Sequence, residues 1–447
     1  MIYQMEVFMY TSSFITADDQ DNLSVKYTNL YSFNGEFLFL TTDPSANPPY
    51  VNKWTNTYGW RPTVKIFETE EQIKDYVNSF DQREEVELAL LSDNLWYGNV
   101  GHALFDGFYP AYLASVKFGY DNEPFVYLAD NWTNRAVTAN QGIELFSGHE
   151  VRSYPNLGRD KLIIFKTLIS GTGRTGNRVI NEEYKLYGGK YNALEKFKHR
   201  MLKACGATPD KSTEGPIKIA IINNKRYSKD EQDTLHAILR YYRSDKTVDI
   251  RMIDWSNYPS FSEQMKIVQE IDIHVTGPGT GMMYMPFLKK GAVNVNLGYM
   301  EHTQTNSARP NIKIQNSTKA DHIFPGWMEQ SVCAGADYVS TLYYNRFSNN
   351  VIRHLPLIGT IDKAIQLVKT SSILENNHNI DAQVFTEYCK QVPNARQVCD
   401  HLTGIAFFIE LFVHEHPDAI PNNIVDVELL RMIKNEMGFD RRYEIKL

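Results

Sequence analysis

Three polar residues lie close together in the segment NLWYGNVGHALFDGFYP, at positions 94–110. Asn99, His102 and Asp106 are three and four positions apart, a spacing that puts their side chains on one face if the segment is helical. An imidazole beside a carboxylate can take a proton from a hydroxyl group, which is general acid–base chemistry. The alternative is a buried histidine that satisfies its ring nitrogen on the aspartate, among aromatic neighbours that form core.

A second segment, HVTGPGTGMMYMPFLKKGA at 274–292, reads as a buried strand that ends in glycines and continues into a Met-rich helix. The backbone N–H groups of Gly277, Gly279, Thr280 and Gly281 would point outward from such a turn, where the start of a helix favours negative charge. These features predict a cradle for phosphate groups. The alternative is a tight turn that needs glycine only for steric reasons.

Positively charged residues follow two other predicted strands. Lys225 and Arg226 come directly after the apolar strand at 217–224, where they could neutralise a diphosphate held by the glycines. Arg174 lies in SGTGRTGNR, after another apolar strand, and could reach a binding cleft. That segment lacks the lysine of a P-loop. A Lys-Arg pair is also common on a solvated surface. The binding role of Lys225 and Arg226 is therefore predicted from their position after the strand, and not from their residue types alone.

Strand and helix patterns alternate over residues 1–210. An Asn-Gly pair in FNGEFLFL at 33–40 predicts a hairpin turn, and residues 68–80 have the apolar spacing of a helix. Short apolar strands are predicted at 86–92, 124–130 and 160–171. This alternation predicts a three-layer α/β domain with a mainly parallel sheet.

A segment rich in Gly, Pro, Ser and Thr at 206–216 predicts a linker. After it, residues 211–350 alternate between strands and helices in the order of a Rossmann-like domain. Residues 351–447 are mostly helical in pattern and are expected to pack back on the cleft between the domains. The predicted class is therefore α/β, with two domains and a helical C-terminal region.

Composition excludes several classes of protein. The chain of 447 residues has a net charge of −7 and no basic block, which makes nucleic acid an improbable partner. Its four cysteines are scattered without metal-ligand spacing, which favours a reducing compartment over a disulfide framework. Neither a signal peptide nor a transmembrane segment is recognisable. We therefore expect a cytoplasmic protein, with a microbial or viral origin possible.

The two chemical segments together resemble glycosyltransferase family 61. NVGHALFDGFYP is similar to the N-x-x-H-x-x-x-D element of that family. TGPGTGMMYMPFLKKGAVNVNLGY reproduces the family's order of a glycine-ended strand, a proline at Pro286, Gly291-Ala292 and a further strand. The resemblance covers roughly residues 85–310. Thr276 stands where the family usually has a histidine, and Asn296 stands where its strand has an acidic residue.

The resemblance implies a GT-B type enzyme with two Rossmann-like domains that face a cleft. It would transfer a sugar, with inversion, from a nucleotide-sugar donor to the hydroxyl of a glycan or glycoconjugate, and a UDP-sugar is the favoured donor. Lys225, Arg226, Gly277, Gly279, Thr280 and Gly281 would bind the donor. Asn99, Tyr97 and Arg174 would lie on the acceptor side of the cleft.

In such an enzyme His102 would be the base and Asp106 would orient it, although the reverse assignment is nearly as good. The leaving diphosphate would be neutralised by protein groups, so no metal or other cofactor is expected. Two alternatives remain open: a non-catalytic glycan-binding protein on the same scaffold, and another nucleotide-dependent transferase, such as a pyruvyl- or phosphotransferase.

Overall fold

The computed structural model divides the chain into two compact units, Met1–Arg174 and Thr175–Leu447. It describes residues 10–17, 24–49, 51, 61–92, 98–129, 137–170, 193–210, 215–225, 227–277, 280–297, 336, 338–344 and 352–373, without the side chains of Asp106, Pro155 and Tyr343. Among the helices in these ranges, none is both long and apolar enough to cross a membrane.

The first unit contains a mixed eight-stranded sheet with helices. Its strands are β1 Ser13–Thr16, β2 Val25–Phe33, β3 Glu36–Thr41, β4 Thr63–Ile66, β5 Arg83–Leu91, β6 Val126–Ala129, β7 Arg152–Ser153 and β8 Leu162–Ser170. Its helical segments are α1 Glu70–Asn78, α2 Val100–His102, a π-helix Ala103–Phe108, α3 Tyr109–Lys117, α4 Val137–Ser147 and a 3₁₀-helix Tyr154–Asn156.

Four strands of this sheet are parallel neighbours, in the order β7-β6-β5-β8. The chain therefore builds outward from β5 through β6 to β7 and then returns to the other side of β5 for β8. This is the arrangement of half a Rossmann fold, in which strand order reverses between the first and fourth strands. The predicted parallel sheet is therefore confirmed for the strands β5 to β8. β2 extends the sheet antiparallel to β8.

The predicted Asn-Gly turn joins β2 to β3. Asn34 and Gly35 both have positive φ, at 49° and 80°, and Phe33 pairs with Glu36 across the turn. Positive φ at both central positions defines a type I′ turn, whose twist matches that of the flanking strands. The helix predicted at 68–80 is also present as α1, which begins after the capping side chain of Thr69.

The second unit is a five-stranded parallel sheet in the order β10-β9-β11-β12-β13. Its strands are β9 Ile217–Ile222, β10 Val248–Ile253, β11 Ile273–Thr276, β12 Val293–Asn296 and β13 Ser340–Tyr343. Its helices are α5 Ala193–Ala204, α6 Lys229–Tyr242, α7 Phe261–Glu270 and α8 His354–Thr370, with 3₁₀-helices at Trp255–Asn257 and Thr280–Phe287. In chain order this is the 2-1-3-4-5 arrangement of doubly wound proteins, with its reversal between β9 and β11.

Helices cover both faces of this sheet. α6 and α8 share a core with the strands, formed by residues such as Leu235, Ile361 and Val275, and the Tyr242 hydroxyl donates to Asp362 Oδ1 at 2.6 Å. α5 and α7 pack with each other and with the 3₁₀-helix Thr280–Phe287. The Rossmann-like α/β class predicted for this part of the chain therefore agrees with the structure.

The boundary between the two units lies between Arg174 and Thr175, whereas the sequence predicted a linker at 206–216. The described part of that segment is bound into the second unit, because Asp210 accepts a hydrogen bond from Lys198 Nζ at 2.7 Å and its backbone N–H donates to Gln269 at 2.8 Å. α5 therefore belongs to the second unit. α8, predicted as part of a separate C-terminal region, packs on β11, β12 and β13. The remaining C-terminal helices were predicted on residues outside the described ranges.

We expect Gly35→Ala to destabilise the first unit by about 1 kcal/mol, because an L-residue with a Cβ is strained at positive φ. A matched control is Gly359→Ala, which lies inside α8, where an added Cβ meets no atom within 4 Å. This control should be neutral or stabilising by up to about 1 kcal/mol. Urea unfolding measures both, and equal stability of the Gly35→Ala variant and the parent would contradict the turn assignment.

Candidate functional site

The segment that carries His102 is helical, but it is not a regular α-helix. α2 passes without a break into the π-helix Ala103–Phe108 and then into α3, and the N–H of Tyr109 donates to the carbonyl of Leu104, five residues earlier. Single π-turns inserted in α-helices are rare and occur frequently at functional sites. The spacing of Asn99, His102 and Asp106 predicts a helix here but does not indicate this insertion.

Asn99 begins the helix. Its backbone is extended, and its side-chain oxygen accepts hydrogen bonds from the N–H groups of Gly101 at 2.9 Å and His102 at 3.4 Å. This is the N-cap interaction that satisfies the otherwise unpaired donors of a first helical turn. The side-chain oxygen of Asn99 therefore stabilises the start of the helix that carries His102. The predicted position of Asn99 on the sugar-acceptor side of the cleft stays a prediction.

His102 is half-buried at the end of α2, and the backbone of Asp106 lies four residues further along, in the π-helix. The aromatic neighbours Phe105, Phe108 and Tyr109 are buried, and Phe108 packs edge-on against Tyr127 and Phe146. The core interpretation therefore holds for these aromatic residues. Tyr97 and Arg174, both predicted on the acceptor side, lie outside the described residues.

The helix that carries His102 follows the carboxyl end of β5. β5, which precedes it, and β8, which precedes the Arg174 segment, are parallel neighbours whose last residues Leu91 and Ser170 pair with each other. The chain therefore leaves both strands at the same edge, at the point where the strand order reverses. Ligands of open α/β sheets bind outside the carboxyl ends of the strands at this point.

The glycine-rich segment follows β11 in the second unit, again at the reversal of strand order. The N–H of Gly277 donates to the hydroxyl of Tyr227 at 2.7 Å, and Tyr227 is buried beside it. Tyr227 comes from the loop after β9, so this hydrogen bond joins the two loops that flank the reversal. Tyr227 directly follows the Lys225-Arg226 pair, but no motif in the sequence marks it as part of the site.

The other predicted glycines divide between packing and the undescribed part of the segment. A Cβ added at Gly281 would lie 2.9 Å from Thr276 Oγ1 and 3.0 Å from Ile222 Cγ2, so this position has a steric reason to be glycine. Thr280 is half-buried and begins a 3₁₀-helix in place of the predicted helix, and the Met residues of that helix are buried. Gly279 lies outside the described residues.

Lys225 lies in a tight turn that is closed by a hydrogen bond from the N–H of Tyr227 to the carbonyl of Asn224 at 3.0 Å. Its side chain is exposed and forms no ion pair with any residue that the structure describes. A cation in this state is available to an anionic ligand. Arg226, its predicted partner, lies outside the described residues.

The same edge carries a hydrogen-bonded pair after β9 and β10. Asn223 Nδ2 donates to Asp254 Oδ2 at 2.9 Å, and Ser256 donates to Asp254 Oδ1 from its backbone N–H at 2.9 Å and its hydroxyl at 2.6 Å. The hydrogen bonds from Ser256 and Asn223 lower the pKa of Asp254, so the carboxyl group is ionised at neutral pH. Trp255 stacks on Tyr284, with ring centroids 4.4 Å apart.

Beneath this edge, His274 on β11 is fully buried. Its Nδ1 is 2.9 Å from Asn294 Oδ1 on the neighbouring strand, while Nε2 has no partner among the described residues. Since Asn294 Oδ1 is an acceptor, Nδ1 carries a proton, and the low pKa that burial causes keeps the imidazole neutral near pH 7. Burial lowers the pKa of His274 to about 4.

Within the described ranges, no cluster of three or more His, Cys, Asp or Glu side chains is placed to hold a metal ion. Cys205 is a buried free thiol, and the other three cysteines fall outside those ranges. No protein-family model matches the chain, and a comparison with curated proteins finds no match. The resemblance to glycosyltransferase family 61 thus stands on the two sequence segments.

Tyr227→Phe tests the link between the two loops of the second unit. Removing the hydroxyl leaves the buried N–H of Gly277 without its acceptor, and we expect the free energy of unfolding to fall by about 1–3 kcal/mol. Tyr241→Phe is the matched control, because Tyr241 is 53% exposed and its substitution should have little effect. If the two variants unfold alike in urea, the hydrogen bond does not stabilise the unit.

His274→Gln tests the buried imidazole. Between its ordinary pKa of 6.5 and about 4, the unfolded chain takes up a proton at His274 that the folded chain excludes. Stability therefore falls as the pH falls through this window. From pH 7 to pH 4 we expect the parent to lose about 3 kcal/mol more than the variant, in urea unfolding followed at several pH values. The same pH dependence in both proteins would contradict the burial of a neutral imidazole.

Proposed function

We propose that this protein is a glycosyltransferase that transfers a sugar from a nucleotide-sugar, with a UDP-sugar as the favoured donor, to a hydroxyl group of a glycan or glycoconjugate. One observation carries the proposal. The two segments that resemble family 61 follow β5 and β11, each at the reversal of strand order in its own sheet. These are the places where open α/β sheets bind ligands.

The donor diphosphate would lie over the carboxyl ends of β9 and β11. Lys225 supplies an exposed positive charge there, and Arg226 follows it in the sequence. The N–H of Gly277 is bound to Tyr227, so the phosphate contacts would come from the residues after it, Gly279, Thr280 and Gly281. Cations and backbone donors fixed in advance stabilise the charge that develops on a leaving diphosphate.

The acceptor hydroxyl would be activated in the first unit. A hydroxyl is a poor nucleophile at neutral pH, and a positioned base that removes its proton raises the rate. His102 is the proposed base, since it is half-buried at the end of a turn that Asn99 fixes. Asp106 would orient the imidazole or exchange roles with it. The leaving group would be neutralised by protein groups without a metal ion, with inversion at the sugar.

The direct test is turnover of UDP-sugars by parent and variants with a panel of glycan acceptors. His102→Ala should lower kcat by about 10²–10⁴-fold, the usual contribution of a general base, and leave UDP affinity little changed. His149→Ala, an exposed histidine of the same unit, is the matched control and should behave as the parent does. Asp106→Asn should have a smaller effect than His102→Ala if Asp106 only orients the ring.

Each part of the proposal has its own contradicting result. Full activity in both His102→Ala and Asp106→Ala would remove the first unit's catalytic role. Loss of activity in EDTA that Mg²⁺ or Mn²⁺ restores would contradict a metal-independent reaction. Glycan binding by a chain that binds no nucleotide would favour the alternative of a glycan-binding protein.

A further inference from the structure

Asn223 and Asp254 extend the edge of the second sheet beyond the proposed phosphate contacts. Ile222 and Ile253, the last residues of β9 and β10, pair with each other, and the N–H of Asn223 donates to the carbonyl of Ile253 at 2.7 Å. The two side chains therefore leave the sheet next to each other and meet in the 2.9 Å hydrogen bond from Asn223 Nδ2 to Asp254 Oδ2.

This pair retains unused hydrogen-bonding capacity. An ionised carboxylate has about four acceptor positions, and Asp254 fills three of them, two with Ser256 and one with Asn223. Among the residues that the structure describes, none occupies the remaining position, which is on Oδ2. Among the described residues, the second amide hydrogen and the carbonyl oxygen of Asn223 have no partner, and its side chain is exposed. The pair thus presents a charged acceptor, a neutral acceptor and a donor side by side.

We infer that Asn223 and Asp254 bind the 2′,3′-diol of the ribose of the nucleotide. Two adjacent hydroxyls offer two donors and two acceptors, which complement the free positions of this pair. β10 is the neighbour of β9 on the side away from β11, and neighbouring strands are about 5 Å apart. The ribose would therefore lie one strand away from the phosphates, and in doubly wound folds an acidic residue near this point binds the ribose.

This inference rests on the proposed function, because it assigns the ribose of the donor nucleotide. Its test uses calorimetric titration of the full chain with UDP and with 2′,3′-dideoxy-UDP, which keeps the base and the diphosphate. The parent should bind UDP about 10- to 100-fold more tightly, the ratio expected for hydrogen bonds to a charged group. Asp254→Asn should remove most of this ratio by weakening UDP binding and leave the affinity for the dideoxy nucleotide unchanged.

Asparagine has the shape of aspartate and also caps helices, so Asp254→Asn should fold and melt near the parent temperature. Asn223→Ala provides a second variant and should also reduce the ratio. Asp249→Asn is the matched control, since Asp249 is exposed at the other end of β10, and it should retain the full ratio.

Equal binding of the two nucleotides by the parent would overturn the diol assignment and leave the nucleotide site standing. A ratio that survives in Asp254→Asn and Asn223→Ala would overturn it as well. Binding of neither nucleotide by the parent would overturn the ribose site together with the proposed donor.

Discussion

Parallel pairing is the constraint on which both candidate sites depend. Parallel strands all end at the same edge of a sheet, so loops that are distant in sequence emerge there as neighbours. In the second unit this brings Tyr227 beside Gly277, fifty positions further along the chain, and a 2.7 Å hydrogen bond from the N–H of Gly277 to the hydroxyl of Tyr227 joins them. In the first unit the paired last residues of β5 and β8, Leu91 and Ser170, show that the two strands end at one edge.

The polar groups at these edges are supported from below by packing. A side chain at Gly281 would crowd Thr276 and Ile222, and His274 forms a hydrogen bond with Asn294 between β11 and β12. A polar pair buried in a sheet costs free energy unless its hydrogen bonds are made. Nε2 of His274 has no hydrogen-bond partner among the described residues. The π-turn beside His102 is a comparable departure from regular structure in the first unit, and such departures concentrate where function constrains the backbone.

Local patterns in the sequence predicted what local physics decides. The Asn34-Gly35 turn, α1 and the strand–helix order of 217–297 all follow from turn preferences and apolar periodicity, and the structure contains them. Lys225 was predicted to neutralise a diphosphate held by the glycines, which requires its loop to lie near Gly277. Non-local contacts were missed. Tyr227 and Gly277 are fifty positions apart and meet only because the chain folds. Asp210, in the predicted linker, is hydrogen-bonded to Lys198 and Gln269, and composition indicates neither contact. The π-turn was missed since its sequence also suits an α-helix.

We propose that the carboxyl edge of the second sheet binds a nucleotide diphosphate. Hydrogen–deuterium exchange of the full chain, with and without saturating UDP, tests it directly because ligand contacts slow amide exchange at the site. We expect slower exchange in peptides that cover residues 223–228 and 277–281, and unchanged exchange at the amino-terminal ends of the same strands. UDP-dependent protection confined to other parts of the chain would contradict it, and so would unchanged exchange throughout.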